Sequence, residues 1–379
     1  MNLKIRSKAP TRIDLAGGTL DLWPLYLFLH EPQTINLGIN LFAEAVLETS
    51  PSNPSQAAGV YLRSEDQKLE VSLPWEAFAQ GESPQVMPAL ALHTKLLHFF
   101  LKPIHAQGTL PPNHSLRLTT QAFSPAGAGL GGSSTLSIAL IGALSAWSHA
   151  LEKGTAGLAQ FNPEPQGETF IEIVRDLETT VIQVPAGLQD YYGAMYGGLQ
   201  SIQWTSPSPS RRHLPQELIH ELEDRILLFY SGQSRNSGIN NWVLFKDFID
   251  QKHEVRQKFQ KISEATQALE MALLKKDWSA VGRAIAWEWE TRQSLAPGIS
   301  TPEIDAVFQK AAQITPLSGK ICGAGGGGCF FLYLQEPSPE KRAQLKRQIQ
   351  EQLLQGPIRP LPFQGVPHGL QLVVETCRA

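Results

Sequence analysis

Cysteine is scarce. Three residues (Cys322, Cys329 and Cys377) in a chain of 379 cannot build a disulfide framework, and no C-x-x-C pair offers a zinc site. An excess of positive charge is missing as well: 32 Lys and Arg face 35 Asp and Glu, for a net charge of −3. That balance excludes the basic field which draws a protein to nucleic acid or to an anionic membrane. The opening residues, MNLKIRSKAPTR, carry no apolar core, so no secretory signal is expected. Long apolar runs are short in supply: residues 136–147 form the longest in a helical pattern, and the expectation is a buried helix too short to span a bilayer. What is present, 42% hydrophobic and 18% charged residues, reads as a globular chain with one large or two ordinary cores. A soluble cytoplasmic protein with small-molecule partners, rather than nucleic acid or membrane, is the expectation, with oligomeric state left open.

Short strands alternate with amphipathic helices. Residues 36–48 and 58–72 have strand-like spacing around the turn cluster PSNPSQ, and SLRLTTQ (115–121) alternates like a half-buried strand. Leu136, Leu140, Ala143, Leu144 and Trp147 share one helical face while Ile138 and Ile141 cover another, so that helix should be buried nearly all round. Residues 151–167 read as a loop, 167–182 as a helix, ILLFY (226–230) as a strand and 239–295 as mostly helical, with Asp277 as a cap. Thr301-Pro302-Glu303 and Ser338-Pro339-Glu340 each open a helix, and Gly356 should stop the second. SPSPSRRHLPQ (206–216) is the candidate linker, dividing the chain into 1–205 and 206–379. The fold class is α+β rather than a regular parallel βαβ array.

Glycine is concentrated in three places. PAGAGLGGSST (125–135) holds four glycines in six residues before its hydroxyls; LAGGTLD (15–21) and KICGAGGGGCFF (320–331) are the others. Glycine admits φ > 0 and close approach to backbone N–H groups, and a helix starting at the hydroxyls would add its free N–H groups and dipole. Three such loops favour a polyanion site over three ordinary turns. Residues 127–132 formally satisfy G-x-G-x-x-G with Glu152 beyond, but a dinucleotide-binding loop follows an all-apolar strand, and SLRLTTQ alternates. A Walker A loop is excluded because no Lys follows the last glycine.

On these motifs the sequence resembles the GHMP kinases. APTRIDLAGGTLD looks like the first motif, PAGAGLGGSST the second and KICGAGGGG the third. VPAGLQDYYGAMYGG (184–198) is similar to the segment carrying the family's catalytic aspartate, and LLFYSGQSRNSG (227–238) to a stretch in the sugar-1-kinase branch. One departure is Gly132, where the second motif usually has Ser. The resemblance implies a two-domain fold with the active site in the cleft between an N-terminal, ATP-binding domain and a C-terminal one. It further implies ATP and Mg²⁺ as cofactors and a sugar or sugar-phosphate acceptor.

Carried over position by position, Asp190 matches the catalytic base and Arg12 the basic residue of the first motif. Pro125, Gly127, Ala128, Gly129, Leu130, Gly131, Gly132, Ser133 and Ser134 form the phosphate loop. Ser133 and Glu178 match the metal-binding hydroxyl and carboxylate; on residue pattern alone Ser133 is equally a helix cap and Glu178 a solvated helix face. Asp21, with Gly18 and Thr19, matches the acceptor-binding side, to which Gly325, Gly326 and Gly327 are assigned too. Arg235 is a candidate phosphate contact or a surface arginine, and Asp14 stays open between structure and function. Asp190 itself reads locally as a loop aspartate, and the histidines, with Tyr191, Tyr192 and Tyr196, as packing residues. RIDLAGG followed by Asp21 and Pro24 resembles the fucokinase and heptose 7-phosphate kinase branch, although Thr19 stands where fucokinases have Trp. Two other classes stay open: a catalytically silent sugar-binding relative and a nucleotide-dependent oxidoreductase.

Overall fold

The structure, a computed structural model, describes residues 2–52, 57–79, 81–108, 113–233, 237–250, 253–353 and 358–376. Twelve strands and ten α-helices follow in chain order among them. They are β1 (Leu3–Ala16), β2 (Gln33–Pro51), β3 (Gly59–Ser64), β4 (Leu69–Leu73), α1 (Ala91–Ala106), β5 (His114–Ala122), α2 (Gly132–Lys153), α3 (Gly167–Ile182) and α4 (Gln189–Tyr196). Then come β6 (Leu199–Gln203), β7 (Ser210–His213), α5 (Glu217–Arg225), β8 (Ile226–Tyr230), α6 (Ser237–Ile249), α7 (His253–Leu274) and α8 (Trp278–Gln293). The last are α9 (Pro302–Ile314), β9 (Leu317–Ile321), β10 (Cys329–Leu334), α10 (Pro339–Leu353), β11 (Arg359–Pro360) and β12 (Gln371–Thr376).

Two sheets organise the molecule. The larger runs β12-β1-β2-β5-β3-β4, with β6 paired to the first half of β2 and β7 to β6. Among the described strands only β3 and β5 pair in parallel, so the mixed, mainly antiparallel arrangement is the α+β class expected. The smaller sheet runs β11-β8-β10-β9, all antiparallel. Helix α2 packs on β1 and β2 and is buried almost throughout, because Ile138, Ile141, Leu140 and Leu144 leave no polar face to present to water. It is also longer than the apolar run promised: 22 residues, long and apolar enough to cross a membrane by length and composition, with 78% of its most apolar window buried inside the protein.

Several helix boundaries fall where the local chemistry puts them. Helix α3 occupies 167–182 as expected, Asp277 accepts from Ala280 N–H (2.9 Å) to open α8, and Thr301 accepts from Ile304 N–H (3.4 Å) to open α9 with Pro302 at its first position. Two segments differ. The candidate linker contains β7, since the backbone of Ser210–His213 finds partners along β6 that its Ser/Pro-rich composition hid. Asp190 sits in the first turn of α4 rather than in a loop, where a carboxylate suits the positive helix end. Gly356, the expected stop after α10, lies outside the described residues.

The strand register sets up the site. β1 shifts register against β2 between Pro10 and Thr11 and again between Asp14 and Ala16, so its second half pairs with residues 35–39 rather than continuing the first alignment. Arg12 and Asp14, two residues apart, share one strand face in that re-aimed segment.

Candidate active site

A cleft of about 410 Å³ is lined by residues from all three glycine-rich segments, among them Thr19 and Asp21, residues 124–129 and 131–134, and Gly323 and Ala324. Its floor carries Arg12, Glu178 and Asp190. The expected convergence of the loops is therefore observed.

Loop 125–132 is fastened through its carbonyls. Ala128 C=O accepts from Cys329 N–H (2.6 Å), Leu130 C=O from Arg12 N–H (3.3 Å), and Gly129 C=O from the Arg12 Nη1 (2.8 Å). Ala128 N–H is used within the loop, donating to Pro125 C=O (3.2 Å), and the neighbouring glycine N–H groups are the ones the loop can offer. It then hands over to α2 through Gly131 at φ +77°, and no acidic side chain occupies the first turn of that 22-residue helix. The helix brings no acidic residue of its own to its positive end, and a helix N-terminus of that kind suits an anion. Gly131 is needed for two reasons. Its backbone is left-handed, and a β-carbon there would stand 2.8 Å from Asp190 Cγ.

Asp190 is paired with Arg12, whose guanidinium is buried while the aspartate remains partly open to the cleft. Burial alone would make Arg12 easier to deprotonate, but the charges of Asp190 and Asp14 outweigh it and hold the guanidinium charged. Asp21 lies close by. Its carboxylate accepts from the Gln189 N–H (3.0 Å), and burial, reinforced by the neighbouring Asp190 charge, raises its pKa to about 6. A side chain on Gly187 would collide with Asp21, which accounts for the glycine in VPAGLQD.

Glu178 is not on a solvated face. Only 5% exposed, it accepts hydrogen bonds from Tyr191 Oη (2.7 Å) and Ser134 Oγ (3.3 Å). Burial pushes its pKa up, hydrogen bonds from Tyr191, Ser133 and Ser134 pull the other way, and Asp190 adds a charge of the same sign. A buried carboxylate beside another carboxylate fits a hard cation. Among the described residues no group of three or more His, Cys, Asp or Glu could hold a metal by itself, and a Mg²⁺ carried by one or two protein oxygens plus phosphates requires none. Tyr191, expected as packing, serves as the hydrogen-bond donor to Glu178.

Not every expected residue faces the cleft. Leu130 is fully buried in the core. The third loop meets the cavity through Gly323 and Ala324, whereas Gly326 N–H donates to Ile299 C=O (2.7 Å) and Gly325 packs on the same residue. Gly18 turns away too, since a side chain on it would collide with the Asp14 carboxylate. Arg235 lies outside the described residues. His93, read as a packing residue, is buried at the cleft wall against Thr120 Oγ1 (2.9 Å), with its pKa lowered to about 4 by burial.

Beneath Thr19 lies a group that the sequence did not reveal. Lys320 Nζ bonds Asp14 Oδ1 (2.7 Å) and Glu288 Oε1 (3.0 Å), and Arg292 bonds Glu288 Oε1 through Nη2 (2.7 Å) and Nε (3.0 Å). Asp14, Glu288 and Lys320 are fully buried and Arg292 nearly so. Two carboxylates and two cations balance, as buried charge requires. The four residues come from β1, α8 and β9, and sequence separations as large as 306 residues between Asp14 and Lys320 leave no local signal.

The chain matches the descriptions "GHMP kinases N terminal domain" over residues 92–198 and "GHMP kinases C terminal" over 269–353, together about half its length. It is 24% identical over 376 residues, covering 95% of this chain and 96% of the relative, to a D-glycero-alpha-D-manno-heptose 7-phosphate kinase of Campylobacter jejuni. To an L-fucokinase/L-fucose-1-P guanylyltransferase of Bacteroides fragilis it is 27% identical over 91% of this chain, but it spans only 36% of that larger protein. In fold it is similar to the crystal structure of a D-glycero-D-manno-heptose 1-phosphate kinase from Bacteroides thetaiotaomicron, with a TM-score of 0.68, 21% identity, and 97% and 98% of the two chains covered. Both matched domains, the cleft into which all three loops run and the relatives agree, and the chain belongs to the GHMP kinase family.

Proposed function

We propose that this kinase transfers the γ-phosphoryl group of ATP, with Mg²⁺, to a hydroxyl of a small sugar or sugar phosphate, the anomeric hydroxyl of a heptose 7-phosphate or fucose-like sugar being the favoured acceptor. The observation that carries the reading is the position of the Arg12–Asp190 pair. It touches the turn that opens α2, so a group that accepts a proton adjoins one that binds an anion.

In this reading the N–H groups of 127–134 and the N-terminus of α2 hold the triphosphate. Asp190 accepts the proton of the acceptor hydroxyl as its oxygen forms a bond to the γ-phosphorus and the bond to the ADP oxygen breaks. Arg12 orients Asp190 and offsets charge developing on the acceptor oxygen. Asp21 and Thr19 orient the sugar. Glu178 and the hydroxyls of Ser133 and Ser134 would hold Mg²⁺, which supplies charge neutralisation to the phosphates when bound. The division of the chain near residue 205 into an ATP-binding half and a second half, and a cytoplasmic setting where ATP is at hand, belong to the same proposal. A relative that carries phosphotransfer by name supports the class of reaction, and the paired catalytic groups weigh against a silent sugar-binding relative.

The test is a panel of free and phosphorylated sugars, including L-fucose and D-glycero-D-manno-heptose 7-phosphate, scored for ADP release. Phosphorus NMR then locates the new ester. Release that depends on one sugar, with a phosphorus signal at the anomeric position, is expected. Release indifferent to every sugar would overturn the reading.

A further inference from the structure

Thr19 has an anomalous backbone that its proposed role beside the sugar does not account for. It is a β-branched residue at φ +73°, a conformation such side chains rarely adopt, and it lines the cleft. Something must hold it. The Arg292 Nη1 donates to Thr19 Oγ1 (2.8 Å), and Nη2 bonds the carbonyl of Gly18 next to it. The Gly17 N–H donates to Glu288 Oε1 (3.2 Å), so three successive residues of the loop are tied to one helix, α8. Glu288 is in turn fixed by Lys320, and Lys320 by Asp14. The turn continues with Leu20 N–H donating to Gly17 C=O (3.2 Å) and Leu22 N–H to Thr19 C=O (3.4 Å), which places Asp21 where Gln189 N–H can reach it.

We infer that Arg292 is a positioning residue for the acceptor side of the cleft: anchored by the buried Glu288–Lys320–Asp14 cluster, it clamps Thr19 in its left-handed conformation and thereby aims residues 19–21 at the sugar. A guanidinium suits this because its planar fork serves Glu288, Thr19 and Gly18 at once, which a lysine ammonium on a flexible stem does not. Because the cluster is buried, with Asp14, Glu288 and Lys320 fully so, the clamp's geometry is set by packing and its hydrogen bonds rather than by solvent. The link to the acceptor rests on the function proposed above; the clamp itself does not.

Two variants test it without emptying the cluster of charge. Thr19→Val removes the hydroxyl and keeps the shape; Arg292→Lys keeps the charge and loses the fork. Each is expected to raise the KM for the accepted sugar about tenfold, in proportion to one lost bond to a charged donor, while the KM for ATP stays within about twofold. The double variant should be no worse than either single one, because both remove one shared interaction. Thr19→Ser should restore the sugar KM. In parallel, hydrogen exchange on a peptide covering 17–22 should speed up in both variants while exchange in α2 and β1 holds.

Unchanged loop exchange in Thr19→Val overturns the clamp. Faster loop exchange with an unaltered sugar KM overturns its link to the acceptor. Faster exchange throughout the protein with both KM values raised assigns Arg292 a purely structural role and overturns the proposal too. If the wild-type protein accepts neither L-fucose nor the heptose 7-phosphate nor any other sugar in the panel, the proposed function fails, and the exchange measurement still decides the clamp.

Discussion

Loop 125–132 and loop 17–21 line the same cleft but are fastened by different means. The first is held through its own carbonyls, by Cys329 and Arg12, and has N–H groups to spare. The second is held through buried charge, by Arg292 and Glu288, and presents a hydroxyl and a carboxylate. A wall of backbone has no ionised side chain of its own to lose, but at Gly131 it cannot take a β-carbon. A wall built on buried ions is sensitive to the loss of one charge or one donor. The two kinds of wall suit two kinds of ligand: a polyanion recognised by dipoles, and a polyol recognised by side chains. Asp190 adjoins both, packed against Gly131 and within electrostatic reach of Asp21.

The contrast can be broken at that junction. Asp190→Asn is expected to cost about 10³- to 10⁴-fold in kcat, because the proton acceptor is removed while both walls stand. ATP affinity, read by titration with a fluorescent nucleotide, should hold. Near-normal kcat would remove Asp190 from the mechanism.

On the backbone wall, Gly131→Ala puts a β-carbon against the Asp190 carboxyl and forces an L side chain to φ +77°. A displacement of that size should lower kcat about 10²-fold, and no concentration of Mg²⁺ should recover it. If steady-state assays show full activity, the tight packing of Asp190 on the helix cap is dispensable.

Glu178→Gln sharpens the comparison by touching charge alone. Activity should fall on the order of tenfold and return in part as Mg²⁺ is raised, since one anionic ligand is lost from a site that phosphates and hydroxyls still furnish. A Mg²⁺ titration superimposing on that of the wild-type protein would place the cation elsewhere.

The smallest effect concerns the charge-built wall and pH. Burial and Asp190 raise the Asp21 pKa to about 6 from 3.8. A carboxyl whose folded pKa lies above its unfolded value favours folding most below the unfolded value, and that contribution is lost as pH rises through about 6. Between pH 5 and pH 7 the loss from this group should be about 1 kcal/mol, and Asp21→Asn should remove that part of the pH dependence in urea denaturation. An unchanged pH profile in the variant would show that Asp21 does not titrate in this range.

What the sequence made legible were features whose causes are local. Helix α3 and strand β8 follow from period and composition, and Thr301-Pro302 announces a helix because cap and N1 chemistry act within three residues. The glycine loops were legible as a ligand site because bare backbone in quantity has few other uses. Motif resemblance then named Asp190, Arg12 and Glu178, and the structure brings them into one cleft. The remainder depended on distance along the chain. β7 borrows its hydrogen bonds from β6, so a Ser/Pro-rich stretch became a strand. Glu178 looked like a surface residue until Tyr191 and Ser134 closed over it. The Asp14–Lys320–Glu288–Arg292 cluster joins residues that have no reason to be read together, and it explains Gly18, which was expected on the acceptor-binding side and is small because Asp14 lies against it.

The edge strand β12 carries one more lesson, about time. Residues Leu3 to Lys8 of β1 pair with Gln371–Thr376, so β1 acquires its outer neighbour only after the several hundred residues between them have been synthesised. Until then β1 has an open edge, and closing it must bring together segments some hundreds of residues apart, a slow event with a large entropic demand. Synthesis of this kinase therefore proceeds for most of those residues with its larger sheet unfinished, and a chain cut short before β12 would leave β1 open to pairing with whatever it meets.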